Sequence, residues 1–355
     1  MERFRHPASV ICVSLLLGAG AAADQIVSGS INFPGATITK LEGGRLRFRD
    51  ADDRAHEIWI SDIDLIIVDK GGLFDDFNEA EHFLAGGEPD RAILRYKRTL
   101  RLSESFWSDL ITVRLLVACD KAGRLDQATL NFVRVVRGKW AGPSAAVRLI
   151  PQNLPSRRTP KAMRAVEHLE GAIRTGPQGA QRIPLELFRF EILSHTGDGR
   201  AASAARDVAT MEISPLLGCE RAFGIQLAAL EHIENDPLRE AELASLNRAI
   251  RDCPEALLPS FLLLKGRALL RASSAKDDMV RATWPFMRVV AHMPDDPRAA
   301  EGLYEAALAL ERLGRNDKAV DLIEECLEHG QVRIDTRAKA EAALERLRAT
   351  ESTSG

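Results

Sequence analysis

Between about Phe74 and Val136 a helical-hairpin pattern is written twice at a fixed spacing. Gly87, Ala92 and Tyr96 recur as Gly123, Ala128 and Phe132, each thirty-six residues later. Ala80 lies twelve residues before Ala92, where two antiparallel helices turning at Gly87 would cross. Pro89 falls in the first turn of the second helix, where its missing N–H costs little, and Gly87 can take the positive φ that ends the first. With 45% hydrophobic but only 5% aromatic content over 355 residues, the core must come mainly from Ala, Leu, Val and Ile. Such a core suits stacked helices.

The pattern resembles the tetratricopeptide repeat (TPR), a helix pair of about 34 residues with a small residue in each helix at the crossing, a turn glycine and an aromatic one turn later. The resemblance implies a mainly α fold: a TPR-like α-solenoid of five or six helical hairpins. The first hairpins occupy 73–136; in the second, Leu116 replaces the small crossing residue and Cys119 stands where an aromatic is common. The last clear unit, Pro297 to Gly330, repeats the spacing through Ala307, Gly314 and Ala319, with Ile323 in place of the aromatic. Region 159–349 is read as a continuation of the array. Thr159-Pro160, Ser214-Pro215 and Asp236-Pro237 each have cap-then-proline chemistry for a helix start. A hairpin from about Pro184 to Glu212 turns at Gly197-Asp198-Gly199, with either Ala202 or Ala204 at its crossing. Pro285 should kink or start the second helix of a hairpin over Glu255 to Met293. A helix from about Ile334 to Arg348 reads as the cap of the array, and 350–355 as a disordered tail.

Two stretches break the helical rhythm. Residues 24–72 alternate with period two, through Ile31 and Phe33, Leu46 and Phe48, Ile58 and Ile60, then Ile63, Leu65 and Ile67. Breaks at Pro34-Gly35, Glu42-Gly43-Gly44, Asp50 to Arg54 and Lys70-Gly71-Gly72 predict four or five short antiparallel strands. The outline resembles the small all-β Sm- or SH3-like barrels. So small a sheet needs a packing partner. Residues 137–158, with Gly142, Pro143, Pro151 and Pro155 and no sustained periodicity, read as an irregular connector, either functional or lying over a helix face.

Residues 1–23 have the pattern of an export signal: Arg3 and Arg5, an apolar run from Val10 to Gly18, and Ala21-Ala22-Ala23 as the cleavage site before Asp24. The run is short for a bilayer, which needs about 20 residues. The expectation is cleavage after Ala23, no integral membrane segment afterwards, and a periplasmic or secreted protein. Disulfides are chemically permitted there, and a bridge between Cys219 and Cys253 is expected if the helices that carry them pair antiparallel. Cys119 and Cys326 are expected to be buried free thiols.

The residue pattern points away from chemistry. Lys+Arg 48 against Asp+Glu 51 leaves no basic footprint for nucleic acid. There is no Walker A sequence, no GxSxG elbow and no HExxH, and neither Cys nor His has metal-site spacing. Ser194, His195 and Asp198 have triad residue types, but adjacent helical residues do not face one another. Arg157-Arg158 beside Thr159 is the single basic cluster at a predicted helix start. The expectation is therefore no enzyme, no metal and no cofactor. What the TPR resemblance implies instead is a scaffold that binds a protein or peptide partner of the cell envelope along its concave face. Counted from the crossing alanines, Phe74, Phe77 and Leu84 in one hairpin and Leu110, Val113 and Val117 in the next should line that face. They form either a partner-binding strip or a dock for the β domain. A cell-wall or polysaccharide binder using the β domain, with Trp59 as its aromatic, is the alternative.

Overall fold

The computed structural model describes residues 24–354 apart from 70–71, 102–104, 139, 214–215, 217–218 and 273–274. The expected export segment and its cleavage after Ala23 lie outside the described residues, as do Lys70-Gly71 and the helix start expected at Ser214-Pro215.

Five strands form an antiparallel sheet at the N-terminal end: β1 (Asp24–Ser28), β2 (Ile31–Glu42), β3 (Arg45–Arg49), β4 (Ala55–Trp59) and β5 (Leu65–Ile67), in the order β4-β3-β2-β1-β5. The break expected at Pro34-Gly35 is instead the middle of β2. That strand pairs first with β1 and then with β3, and register shifts at Asp24/Gln25 and Ile38/Lys40 bend it between the two halves of the sheet. Pro34 sits opposite Gln25, beside the first shift, where a missing N–H is tolerated. Ile26, Ala36, Leu46, Phe48 and Ile66 are at most 1% exposed, and they are the inner face of the bent sheet. The Asp24 carboxylate closes it from one end, accepting from Ile38 N at 3.2 Å and Asp69 N at 2.9 Å.

The rest is helical, with fifteen α-helices among the described residues, packed largely in succession along the chain apart from the fifth. The first two hairpins are α1 (Asp75–Ala85) with α2 (Pro89–Leu100), and α3 (Ser105–Lys121) with α4 (Leu125–Arg137). Then come α5 (Pro143–Arg148), α6 (Pro160–Thr175), α7 (Ile183–His195) and α8 (Ala201–Ala209). The chain continues through α9 (Glu220–His232), α10 (Glu240–Asp252), α11 (Leu258–Ala272) and α12 (Lys276–His292). It ends with α13 (Arg298–Arg312), α14 (Asn316–Glu328) and α15 (Ile334–Ser354). Four of the helix turns are made the same way: Gly87, Gly123, Gly197 and Gly314 have φ of 78°, 64°, 64° and 71°, a region closed to most side chains. Ala80, Ala92, Ala128, Ala307 and Ala319 are wholly buried at the crossings, and Tyr96, Phe132 and Ile323 pack one turn later. Ala204 is buried while Ala202 is exposed, which resolves the phase of the α7–α8 hairpin.

Four expectations need correction. The connector 137–158 is not irregular throughout: it holds α5, which starts at Pro143, packs on α4, α7 and α9, and buries Ala145, Ala146 and Val147. α4 packs directly on α6, so the six-residue α5 is set aside from the helix succession and lies on α4, α7 and α9. Asp236-Pro237 does not open α10, which begins at Glu240 where Glu242 Oε2 accepts from Arg239 N at 2.7 Å. Pro285 does not start α12, which begins at Lys276 and runs through it. Finally, α15 continues to Ser354 through the expected tail.

Candidate interaction groove

The first functional question is what covers the expected inner strip. Phe74, Phe77, Leu84, Leu110 and Val113 are 0–4% exposed and Val117 is half-buried. On α1, Glu81 lies between Phe77 and Leu84, four and three residues away, and on α3 Arg114 stands likewise between Leu110 and Val117. These spacings place each charged residue on the stripe of its apolar neighbours. Arg114 Nε and Nη2 meet the two Glu81 oxygens at 2.7 and 2.8 Å. Two more guanidinium protons go to the β unit, Nη1 to Ile63 O at 2.7 Å and Nη2 to Asp64 O at 2.9 Å. Glu81 Oε2 also accepts from Ile66 N of β5 at 2.9 Å, and Asn78 both donates to Val68 O and accepts from Val68 N at 2.8 Å. The edge of β5 is thus hydrogen-bonded to side chains of α1. The stripe that carries Phe77, Leu84, Leu110 and Val113 thus meets the chain's own sheet through Glu81 and Arg114, and these four apolar residues are buried.

The sheet also reaches α5. Gly44, in the tight turn between β2 and β3, stands so close to α5 that a side-chain carbon there would lie 2.1 Å from Ala145 Cβ. Above this contact the guanidinium carbons of Arg45 and Arg148 lie over the Trp59 ring at 4.3 and 4.6 Å from its centroid, within cation–π range. Trp59 is therefore held at the seam between the sheet and the helices. The short α5 is what lets the sheet come so close.

Past α5 the first-helix face opens. Each of α7, α9, α11, α13 and α15 packs on the next, so their row continues beyond the sheet. At the point where the sheet ends there is a groove of about 660 Å³. Phe190 and Ile225 contribute its apolar floor, Gly224 and Ala228 leave it shallow and open, and Arg148, Glu191 and Arg221 contribute charge. Arg221 is fixed by Ile150 O at 2.5 Å and Pro151 O at 3.3 Å, with Glu191 Oε2 at 3.4 Å. Burial pushes the Glu191 carboxyl up, against the pull of Arg221. The chain just after α5 thus holds one of the groove's charged residues in place, although it reads in the sequence only as a proline-rich gap.

The remaining candidate residues separate by place. Cys219 caps α9 and Cys253 ends α10, and all four described cysteines are free thiols with no bridge between this pair. The expected pairing needs the two helices to pack as an antiparallel pair, whereas α10 packs on α11 and α8 rather than on α9. Asp198 is buried, but its carboxylate is taken by Arg200 N and Nε, both at 3.0 Å, with Arg158 Nε at 3.6 Å. That occupies Arg158 of the basic cluster as well, and it leaves Ser194 and His195 as neighbours on one helix. The arginine excess has a structural use: Arg95, Arg124, Arg164, Arg206, Arg267 and Arg346 each bridge to an acid on another helix or its turn. Among the described residues no three His, Cys, Asp or Glu gather at metal-binding range. No helix of the described residues is long and apolar enough to cross a membrane.

No protein-family model matches the chain, and no curated protein matches it.

Proposed function

We propose that this is an exported, non-enzymatic scaffold built from TPR-like hairpins, and that it holds a protein or peptide partner of the cell envelope along its first-helix face. The carrying observation is the change of cover along that face. Its first half meets the five-stranded β unit, whereas beyond α5 the same row of helices continues past an open groove with an apolar floor and charged walls. Such a groove suits an extended segment or a helix, with Phe190 and Ile225 offering apolar contact and Arg148 a charged rim. A polysaccharide reading draws less support. Its aromatic, Trp59, already has two guanidinium groups over the ring that a sugar would need.

The test is affinity capture from an envelope extract with the parent and with Ala228→Arg, whose exposed position fills the groove without entering the core. A partner retained by the parent and lost by the variant, at an unchanged melting transition, supports the reading. Equal capture by both places the partner elsewhere on the chain.

A further inference from the structure

On the opposite side of the array, a second groove of about 620 Å³ runs between α10 and α12 with α11 as its floor. The α12 wall shows Asp277, Val280, Arg281, Trp284 and Arg288, a single stripe at three- and four-residue spacing. At 1.5 Å per residue that stripe is about 16 Å long, three turns of a helix. Trp284 is 70% exposed and Val280 36%; Phe286 and Val289, on the other side of the same helix, are wholly buried. Leu262, Lys265 and Leu269 of α11 repeat the helical spacing along the floor. Pro285 also lines the groove, and its missing N–H deprives the Arg281 carbonyl of its usual partner one turn on.

The charges in this groove are not balanced. Among the described residues neither Lys265 nor Arg288 has a carboxylate at ion-pair distance, whereas Arg267, on the other face of α11, meets Glu301 and Glu305 and stands 3.9 Å from Glu234. Burial, and then the neighbouring Arg288, hold the Lys265 ammonium below its ordinary value, so the two cations share one space. Arg281 is 3.7 Å from Asp278, and Asp277 is the one carboxylate on the wall.

We propose that this groove docks an acidic amphipathic helix of a partner protein, with an aliphatic or aromatic row against Trp284, Val280 and Leu269 and carboxylates at Lys265 and Arg288. The apolar floor, the stripe length and the uncompensated cations each point to that occupant. A second copy of the chain fits less well. Its acidic helix α14 already uses its apolar face, Ala319, Ile323 and Cys326, inside its own fold. The site lies on the face away from the inner groove, so it stands or falls independently of it.

Panning a displayed library of random 14-residue peptides against the full chain tests the proposal. The expected outcome is a set rich in Glu and Asp with Leu or Phe at helical spacing. Its binding should weaken about tenfold in Trp284→Ala, as for an anchoring aromatic, and should weaken again in Lys265→Gln/Arg288→Gln or at high salt. Both variants alter exposed or half-exposed side chains, so a melting curve superimposable on the parent's is expected. The proposal is overturned if no selected peptide depends on Trp284, or if the dependent ones carry no acidic bias. Trp284-dependent self-association of the chain would also overturn it, because the groove would then belong to a second copy.

Discussion

Arg114 and Glu81 meet through two parallel hydrogen bonds, 2% and 0% exposed, at the centre of the contact between sheet and helices. Two charges so deeply buried are tolerated only when their other hydrogen-bonding positions are filled. Here every nitrogen and oxygen of the pair has a partner: the guanidinium reaches the carbonyls of Ile63 and Asp64, while the carboxylate also receives the Ile66 amide and the Tyr96 hydroxyl. Burial alone would lower the Arg114 pKa, but Glu81 and Tyr96 outweigh it and the arginine stays charged. Arg114→Met should therefore cost about 3–5 kcal/mol by stranding a buried carboxylate, and the double variant with Glu81→Gln should cost less than the two single changes together. Arg114→Lys should fail to restore stability, because an ammonium cannot make the two-point fork. Urea titrations of these variants and the parent check this; a stable Arg114→Met would mean that the pair does not hold the sheet.

The crossing alanines give a second expectation. Ala92 and Ala319 have no exposed surface and stand where two helices approach most closely, so Ala92→Leu or Ala319→Leu should destabilise by about 1–3 kcal/mol through overpacking. Gly266→Ala belongs to the same class, since the added carbon would fall 2.3 Å from the Phe286 ring. Denaturant midpoints equal to the parent's would show that these positions have room.

The hairpin array was legible because its signals are local: a turn glycine and a crossing alanine a few residues apart report one another through helix geometry alone. What lay further apart in sequence was not. The sheet's strands could be counted, but the bend of β2 at Pro34-Gly35 looks like a turn until its pairing with both β1 and β3 is known. The helix α5 is too short for a periodic signal, although Pro143 ahead of two alanines was a usable start. The contact between Glu81 and Arg114 spans 33 residues. Its trace in the sequence was a single arginine inside the apolar run from Leu110 to Cys119, the kind of interruption that asks for a buried partner. The open inner groove left no comparable trace, because it is lined by residues as far apart in sequence as Arg148 and Leu257.

The thiols should differ sharply in reactivity. Burial pushes Cys119 and Cys326 up to about 11, so at pH 8 roughly one molecule in a thousand carries either thiolate. Cys219 is 3% exposed, and Cys253, half-buried, is the accessible one. Native protein treated with a thiol reagent at pH 8 should label at Cys253 first, faster as pH rises, and unfolded, unreduced protein should label at all four. A native rate at Cys119 or Cys326 matching that at Cys253 would contradict their burial. Two unlabelled cysteines after unfolding would instead show a bridge.

The last expectation concerns the covered strip. Phe77 is wholly buried, packs against Phe74 and Tyr96, and lies one turn before the Glu81 that receives β5. Had the strip been a free binding groove, Phe77→Ala would remove a ligand contact and leave the melting transition in place. Since Phe77 is wholly buried, the same change leaves a cavity beside Phe74 and Tyr96 and should cost about 3–5 kcal/mol. It should also loosen the dock, so that limited proteolysis cuts within residues 24–72 sooner than in the parent. Deleting those residues altogether should uncover the apolar strip from Phe77 to Val113, with binding of a hydrophobic dye and self-association as the consequence. A deletion variant that stays monomeric and binds no dye would show that the helices do not need the sheet. An unchanged melting transition in Phe77→Ala would return the strip to the partner.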